Sequence, residues 1–111
     1  MTDNKSAQPK LRLGMIGGGQ GAFIGEVHRI AARLDGRFEL VAGALSADAQ
    51  TAAASAAEVG INSDRSYASF EEMALAEAAR EDGIEVCAIA TPNHLHHPAA
   101  AALLRAGIHV I

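Results

Sequence analysis

The chain has 111 residues, 50% of them hydrophobic and 20% charged, which is the balance of one folded domain rather than of a disordered segment. A net charge of −4 and a pI of about 5.6 argue against nucleic acid as a partner, and no apolar run is long enough to span a membrane. The single cysteine, Cys87, excludes an internal disulfide and a cysteine-built metal site, so we expect a cytoplasmic protein.

The first predicted elements form a strand, a glycine-rich turn and a helix. Residues 1–10 are polar and predict a flexible leader, so the folded domain should cover residues 11–111. A strand is predicted at residues 11–16, directly before three glycines, and a helix at about residues 22–34. The apolar residues of this helix recur at the spacing of one helical face, which predicts that the face is buried. They are Phe23, Ile24, Val27, Ile30, Ala31 and Leu34.

The second predicted strand covers residues 38–44 and leads into an alanine-rich helix that runs to Val59. Either Ser46 or Asp48 can cap this helix, because both side chains accept hydrogen bonds from free backbone N–H groups. A very short third strand is predicted at residues 65–67.

The last elements continue the alternation of helix and strand. A helix at residues 70–80 begins with capping-box spacing, and an apolar fourth strand follows at residues 84–90. Pro98 suits the first turn of another helix, and a fifth strand begins at Ile108. The pattern predicts a doubly wound α/β Rossmann domain with a parallel sheet in the order 3-2-1-4-5.

The sequence ends inside the predicted fifth strand, so we expect the front piece of a longer protein, without its sixth strand and second domain. The fifth strand would then be an open apolar edge, which predicts a homo-oligomer.

The glycine-rich turn predicts a nucleotide site. Gly17-x-Gly19-x-x-Ala22 follows a strand, opens a helix and matches the dinucleotide fingerprint, although Gly25 rivals Ala22 for the third position. Glycines permit a tight turn and let a pyrophosphate approach the backbone, where N–H groups at the helix start face it. An ordinary turn and the loop of an S-adenosylmethionine-dependent methyltransferase remain open as alternatives.

The end of the second strand lacks the acidic residue that usually binds ribose hydroxyls. Leu45 and Ser46 stand there, and Asp48 comes later in the sequence. Without that carboxylate a 2′-phosphate is repelled less, so NADP is as plausible a cofactor as NAD. Ser46 could bond a ribose hydroxyl, a phosphate or the following helix.

The loop after the fourth strand is the second candidate for ligand binding. Thr91, Pro92 and Asn93 leave this strand at the switch point that the glycine loop also faces. The three histidines that follow, at positions 94, 96 and 97, have no acidic or cysteine partner nearby in sequence, so a metal site is not expected. We expect His96 to hydrogen-bond the cofactor or substrate.

These motifs together resemble the N-terminal domain of the glucose–fructose oxidoreductase / inositol dehydrogenase (Gfo/Idh/MocA) family. The matching stretches are residues 13–19, residues 67–72, the Thr-Pro-Asn-His-Leu-His run at residues 91–96, and residues 106–110. Members of that family are NAD(P)-dependent oxidoreductases of sugars, cyclitols and related polyols.

The resemblance implies a role for each loop. Gly17, Gly19 and the loop to Ile24 would bind the pyrophosphate, and Thr91 to Asn93 would lie along the nicotinamide ribose with His96 behind them. The family's Glu-Lys-Pro motif would follow Ile111; its lysine helps proton transfer, and a histidine and an acid from the second domain complete the site. The lengthened glycine loop and the missing acid at the end of the second strand depart from the family pattern.

The sequence therefore predicts the NAD(P)-binding domain of a sugar or cyclitol oxidoreductase, catalytically silent as an isolated chain. A non-catalytic NAD(P)-sensing module of the same fold is the alternative. The predicted cofactor-binding residues are Gly17, Gly19, Gln20, Gly21, Ala22, Phe23, Ile24, Ser46, Thr91, Pro92, Asn93 and His96.

Overall fold

The structure, a computed structural model, describes residues 9–21 and 23–111. Strands and helices follow one another along them in the order that the sequence predicts, except that no strand separates the second and third helices. The strands are β1 (Leu11–Gly17), β2 (Phe38–Ala44), β3 (Val86–Ala90) and β4 (His109–Val110). The helices are α1 (Phe23–Arg33), α2 (Ala49–Glu58), α3 (Phe70–Ala78) and α4 (His96–Arg105). Short 3-10 turns at Ser63–Arg65 and Asn93–Leu95 precede α3 and α4.

The strands form one parallel sheet in the order β2-β1-β3-β4. Leu13 pairs with Leu40 on one side and with Val86 on the other, so β1 is central. The predicted order 3-2-1-4-5 is therefore wrong in its strand count: the strands predicted as fourth and fifth are β3 and β4, and no third strand extends the sheet beyond β2 within the described residues.

The predicted third strand is reduced to a single bridge between Ser66 and Gly43. The N–H of Tyr67 donates to the Gly43 carbonyl at 2.8 Å, so the chain does pass beside β2. A strand cannot begin at Arg65, because Ser63–Arg65 is a 3-10 turn. The Arg65 side chain forms an ion pair with Glu77.

Side-chain caps start two helices as predicted. The Asp48 carboxylate accepts from the Thr51 N–H at 2.8 Å, so Asp48 rather than Ser46 is the N-cap of α2. The Ser69 hydroxyl accepts from the Glu72 N–H at 3.1 Å at the start of α3.

Helices cover both faces of the sheet. Leu13, Met15 and Ala88 form a core with Ala56 of α2, while Ala32 of α1 packs against it. The other core joins strand residues to α3 and α4. Its buried members are Ile16, Ala42, Ala44, Tyr67, Met73, Ala74, Ile84, Cys87, Ala99, Leu103 and Ile108. This is the doubly wound arrangement that the sequence predicts.

The apolar face predicted for α1 is not buried. Ile24, Val27, Ile30 and Leu34 are 45%, 42%, 45% and 81% exposed. The helix instead packs inward through Gly25 and Ala32, and at Gly25 its backbone lies so close to the glycine-rich turn that a larger side chain has no room. None of the described helices is long and apolar enough to cross a membrane.

Candidate functional site

The site is a cavity of about 440 Å³ at the carboxyl ends of β1, β2 and β3. Parallel α/β sheets bind ligands at this edge, where neighbouring crossovers leave in opposite directions and open a crevice. Its walls come from the glycine-rich turn, the β2–α2 loop, the start of α3 and the loop after β3. The lining residues are Ile16, Gly17, Gly18, Gly19, Gln20, Ala44, Leu45, Ser46, Ala47, Ala68, Ser69, Phe70, Glu71, Ala90, Thr91, Pro92 and Leu95.

Three successive glycines pack directly against backbone. A Cβ on Gly17 would lie 2.7 Å from the Ala90 carbonyl oxygen, and one on Gly19 would lie 2.8 Å from the Leu45 carbonyl oxygen. The turn thus threads between the ends of β2 and β3 with no room for side chains, and Gly17 and Gly18 both have φ of 75°. A backbone without side chains on the wall of a cavity suits close approach by a pyrophosphate, so these residues fit a dinucleotide.

Gly25 performs the close-packing role that the fingerprint assigns to its third small residue. A Cβ on Gly25 would lie 2.5 Å from the Gly18 carbonyl oxygen, so α1 rests on the turn through bare backbone. Ala22, the other candidate, lies outside the described residues, as does the side chain of Phe23.

Two N–H groups of the turn are bonded within the protein. Gly19 donates to the Leu45 carbonyl at 3.1 Å, and Gln20 donates to the Ser55 hydroxyl at 2.9 Å. The Gln20 side chain reaches Glu58 on α2. These two N–H groups are therefore already paired within the protein.

The end of β2 offers a hydroxyl in place of the usual carboxylate. Ser46 lines the cavity, and its oxygen accepts from the Asp48 N–H at 3.1 Å. The Thr51 hydroxyl and N–H hold the pKa of Asp48 below its ordinary value, and this carboxylate is used as a helix cap. Ser46 is thus the polar residue that the loop after β2 contributes to the cavity.

The loop after β3 is held by its own histidine. Thr91 and Pro92 line the cavity opposite the glycine-rich turn. The His96 Nε2 lies 3.0 Å from the Thr91 carbonyl oxygen, which can only accept, so this nitrogen carries the proton. His94 and His97 are exposed, and no group of metal-binding side chains occurs among the described residues.

The structure brings six of the twelve predicted cofactor-binding residues together at the cavity. Gly17, Gly19, Gln20, Ser46, Thr91 and Pro92 line the cavity. Gly21, Ile24, Asn93 and His96 adjoin this wall along the chain.

The sequence alone did not assign the wall formed by residues 68–71, nor the hydrogen bonds of Ser55 and Arg29 to the turn. The strand predicted at residues 65–67 should end at the carboxyl edge of the sheet. Residues 68–71, which follow it, could therefore have been predicted to line the cavity.

Comparison with known proteins identifies the family of the chain. A family model described as an oxidoreductase family, NAD-binding Rossmann fold (GFO_IDH_MocA), matches residues 11–111. The uncharacterized oxidoreductase YfiI of Bacillus subtilis (strain 168) is 43% identical over 102 residues, which are 91% of this chain and 26% of YfiI.

Solved structures agree in fold. A Sinorhizobium meliloti oxidoreductase has a TM-score of 0.90 at 58% identity, over 94% of this chain and 29% of that one. An inositol dehydrogenase homologue from Azotobacter vinelandii, solved with NAD+, has a TM-score of 0.88 at 39% identity, over 91% of this chain and 26% of that one. The same homologue was also solved with NADH and myo-inositol.

This chain thus spans between a quarter and a third of each of these relatives. The family match favours the dinucleotide interpretation over the methyltransferase alternative and confirms the predicted nicotinamide cofactor. The chain belongs to the Gfo/Idh/MocA oxidoreductase family, in which residues 11–111 form the NAD-binding Rossmann domain.

Proposed function

We propose that this domain holds NAD and orients the nicotinamide ring for hydride transfer in a longer enzyme that oxidises a cyclitol or a related polyol. The observation that carries the proposal is the meeting of two loops at one cavity. The side-chain-free turn of residues 17–19 forms one wall, and Thr91 and Pro92 form another.

The substrate class is supported by the Azotobacter vinelandii homologue, solved with NADH and myo-inositol and 39% identical over 91% of this chain. A cyclitol is a ring of secondary alcohols. Its oxidation requires a hydride acceptor for the carbinol hydrogen and a base for the hydroxyl proton.

Each part of the candidate site has a separate task in this proposal. The backbone after Gln20 and the start of α1 bind the pyrophosphate through N–H groups and the positive end of the helix dipole. Ser46 bonds an adenosine ribose hydroxyl. Thr91, Pro92 and Asn93 lie along the nicotinamide ribose, and His96 holds this loop by its bond to the Thr91 carbonyl.

NAD, when bound, supplies the hydride acceptor for the alcohol carbon. The base for the hydroxyl proton comes from residues outside these 111, so we expect the isolated chain to bind NADH without turning over a polyol. The cytoplasmic location and self-association remain predictions, because they follow from the sequence arguments above.

Titration of the 111-residue chain with NADH tests the binding step. The chain has no tryptophan, so enhanced nicotinamide fluorescence is measured without an indole background. We expect saturable binding that NAD+ displaces and S-adenosylmethionine does not. Absence of binding by a folded chain would contradict the proposal.

The enzymatic step is tested on the native protein. Its intact mass should exceed that of this chain by a second domain, roughly 150 residues or more. It should reduce NAD+ in the presence of myo-inositol or a related polyol. A native product that binds NADH but oxidises none of a panel of sugars and cyclitols would instead support the dinucleotide-sensing module.

A further inference from the structure

We infer that Ser55 and Arg29, on the two helices beside the glycine-rich turn, are positioning residues that fix two successive peptide groups of that turn for cofactor binding. The inference rests on the proposed NAD-binding function. Neither side chain lines the 440 Å³ cavity described above, although both line another cavity of about 270 Å³ beside residues 18–21. Each acts through its hydrogen bond to the backbone of the turn.

Ser55 is a buried hydroxyl in an otherwise alanine-rich helix. It is 3% exposed, and the other buried residues of α2 are Ala52 and Ala56. Its Oγ accepts from the Gln20 N–H at 2.9 Å, and a Cβ on Gly19 would lie 2.9 Å from the same oxygen. An alanine at this position would pack as well as its neighbours do, so the hydroxyl is explained by the bond to the turn.

Arg29 reaches the turn from α1. Its Nη1 donates to the Gly18 carbonyl at 2.8 Å and lies 3.7 Å from the Met15 sulfur. The Gly18 carbonyl and the Gly19 N–H belong to one peptide group, and that N–H donates to the Leu45 carbonyl at 3.1 Å. This peptide group is therefore bonded at both its oxygen and its nitrogen.

The Gln20 N–H belongs to the next peptide group, which Ser55 holds. Two successive groups are thus fixed in a stretch where glycine would otherwise leave the backbone free to rotate. A turn ordered before binding loses less conformational entropy when a ligand docks. The direction of these groups also limits where the Gly21 N–H, the next along the chain, points.

The test compares NADH binding by the native-sequence chain with that of Ser55→Ala. We expect the Kd for NADH to rise roughly fivefold to tenfold, the value of one hydrogen bond to the backbone. Calorimetry should assign the loss to a more unfavourable binding entropy. Thr51→Ala is the matched control, because it removes a hydroxyl bond from the same helix at a residue that does not contact the turn.

Arg29→Lys keeps a donor of nearly the same reach for the Gly18 carbonyl, and Arg29→Ala removes the donor. We expect Arg29→Lys to bind NADH within about threefold of the native sequence and Arg29→Ala to bind roughly tenfold more weakly. Equal affinities for Ser55→Ala and the native sequence would overturn the inference while leaving NAD binding intact. Failure of the native sequence itself to bind would instead reject the proposed function.

If Ser55→Ala does not fold, amide hydrogen exchange of the native sequence without cofactor tests whether the turn is ordered before binding. The Gly19 and Gln20 amides should exchange at least tenfold more slowly than the exposed Gly21 amide. Equal exchange of the three amides would show a turn that is not ordered in advance and would overturn the inference.

Discussion

Gly18 and Gly25 face each other backbone to backbone, and this contact joins the glycine-rich turn to α1. A Cβ on Gly18 would lie 2.8 Å from the Gly25 Cα, and one on Gly25 would lie 2.5 Å from the Gly18 carbonyl oxygen. No side chain fits between the two. The first turn of α1 is therefore packed against the glycine-rich turn through bare backbone.

We expect Gly25→Ala to weaken both folding and NADH binding. The added methyl group must push α1 away from the turn, at a cost of about 1–3 kcal/mol in the free energy of unfolding. Urea unfolding measures the first effect, and NADH titration the second. Gly36→Ala is the control: its φ of 69° makes the change costly too, but Gly36 has no contact with the turn. If both variants bind NADH equally well, the Gly18–Gly25 contact is not important for the site.

Glu77 and Arg65 form a buried ion pair that replaces part of the predicted third strand. Arg65 donates to both carboxylate oxygens, and the Tyr67 hydroxyl and the Ile84 N–H donate to them at 2.6 and 3.1 Å. Burial alone would raise the pKa of Glu77, but the bonds from Arg65 and Tyr67 outweigh it and hold the pKa below its ordinary value.

Glu77→Gln should therefore remove a contribution to the free energy of unfolding that the native sequence loses in acid. A lowered pKa in the folded state stabilises the protein above the unfolded pKa of about 4.3, and this contribution is lost as pH falls through the folded value. At neutral pH we expect the variant to lose about 3 kcal/mol in the free energy of unfolding, because Arg65 loses its buried counter-ion and keeps the exposed Asp82 carboxylate at 3.7 Å. Urea unfolding at several pH values, with exposed Glu72→Gln as control, tests this. An equal acid dependence in Glu77→Gln and the native sequence would argue against it.

Tyr67 is the single tyrosine of the chain, so its ionisation can be followed directly by ultraviolet absorbance. Burial, together with the bond to Glu77, raises the pKa of Tyr67 to about 12. The stability linked to this group is present below the ordinary pKa of about 10 and is lost as pH rises from there to the folded value. We expect a titration midpoint near 12 in the folded chain and near 10 in urea. A midpoint near 10 without urea would contradict the buried bond.

The sequence predicted the helices, the parallel strands and both loops of the site, because each depends on local patterns of apolar residues, glycines and caps. The sequence did not predict the features that depend on contacts between residues far apart in the chain. The residue types at positions 65–67 predict a strand. In the structure, however, Arg65 bonds Glu77 of α3, twelve residues away. The bond from Gln20 to Ser55 spans 35 residues and leaves no local pattern in the sequence.

We expect His96→Ala to weaken NADH binding moderately. The variant removes the bond from Nε2 to the Thr91 carbonyl and frees the loop that lines the cavity. One such bond is worth about 1 kcal/mol, or roughly fivefold in Kd. His94→Ala is the control, because His94 is exposed in the same loop. NADH titration of both variants distinguishes them, and equal losses would mean that His96 does not hold the loop.

Ser46→Asp should make the domain discriminate against NADP. Ser46 is the polar residue that the loop after β2 contributes to the cavity, where related folds place a carboxylate that accepts from the ribose hydroxyls. An aspartate there would repel the 2′-phosphate of NADPH, so we expect the Kd for NADPH to rise at least about tenfold while that for NADH changes little. Ser46→Asn is the control, because it adds similar volume without charge. Competition of NADPH against NADH on both variants measures the ratio. A parallel loss of both cofactors in Ser46→Asp would mean that residue 46 does not face the adenosine ribose.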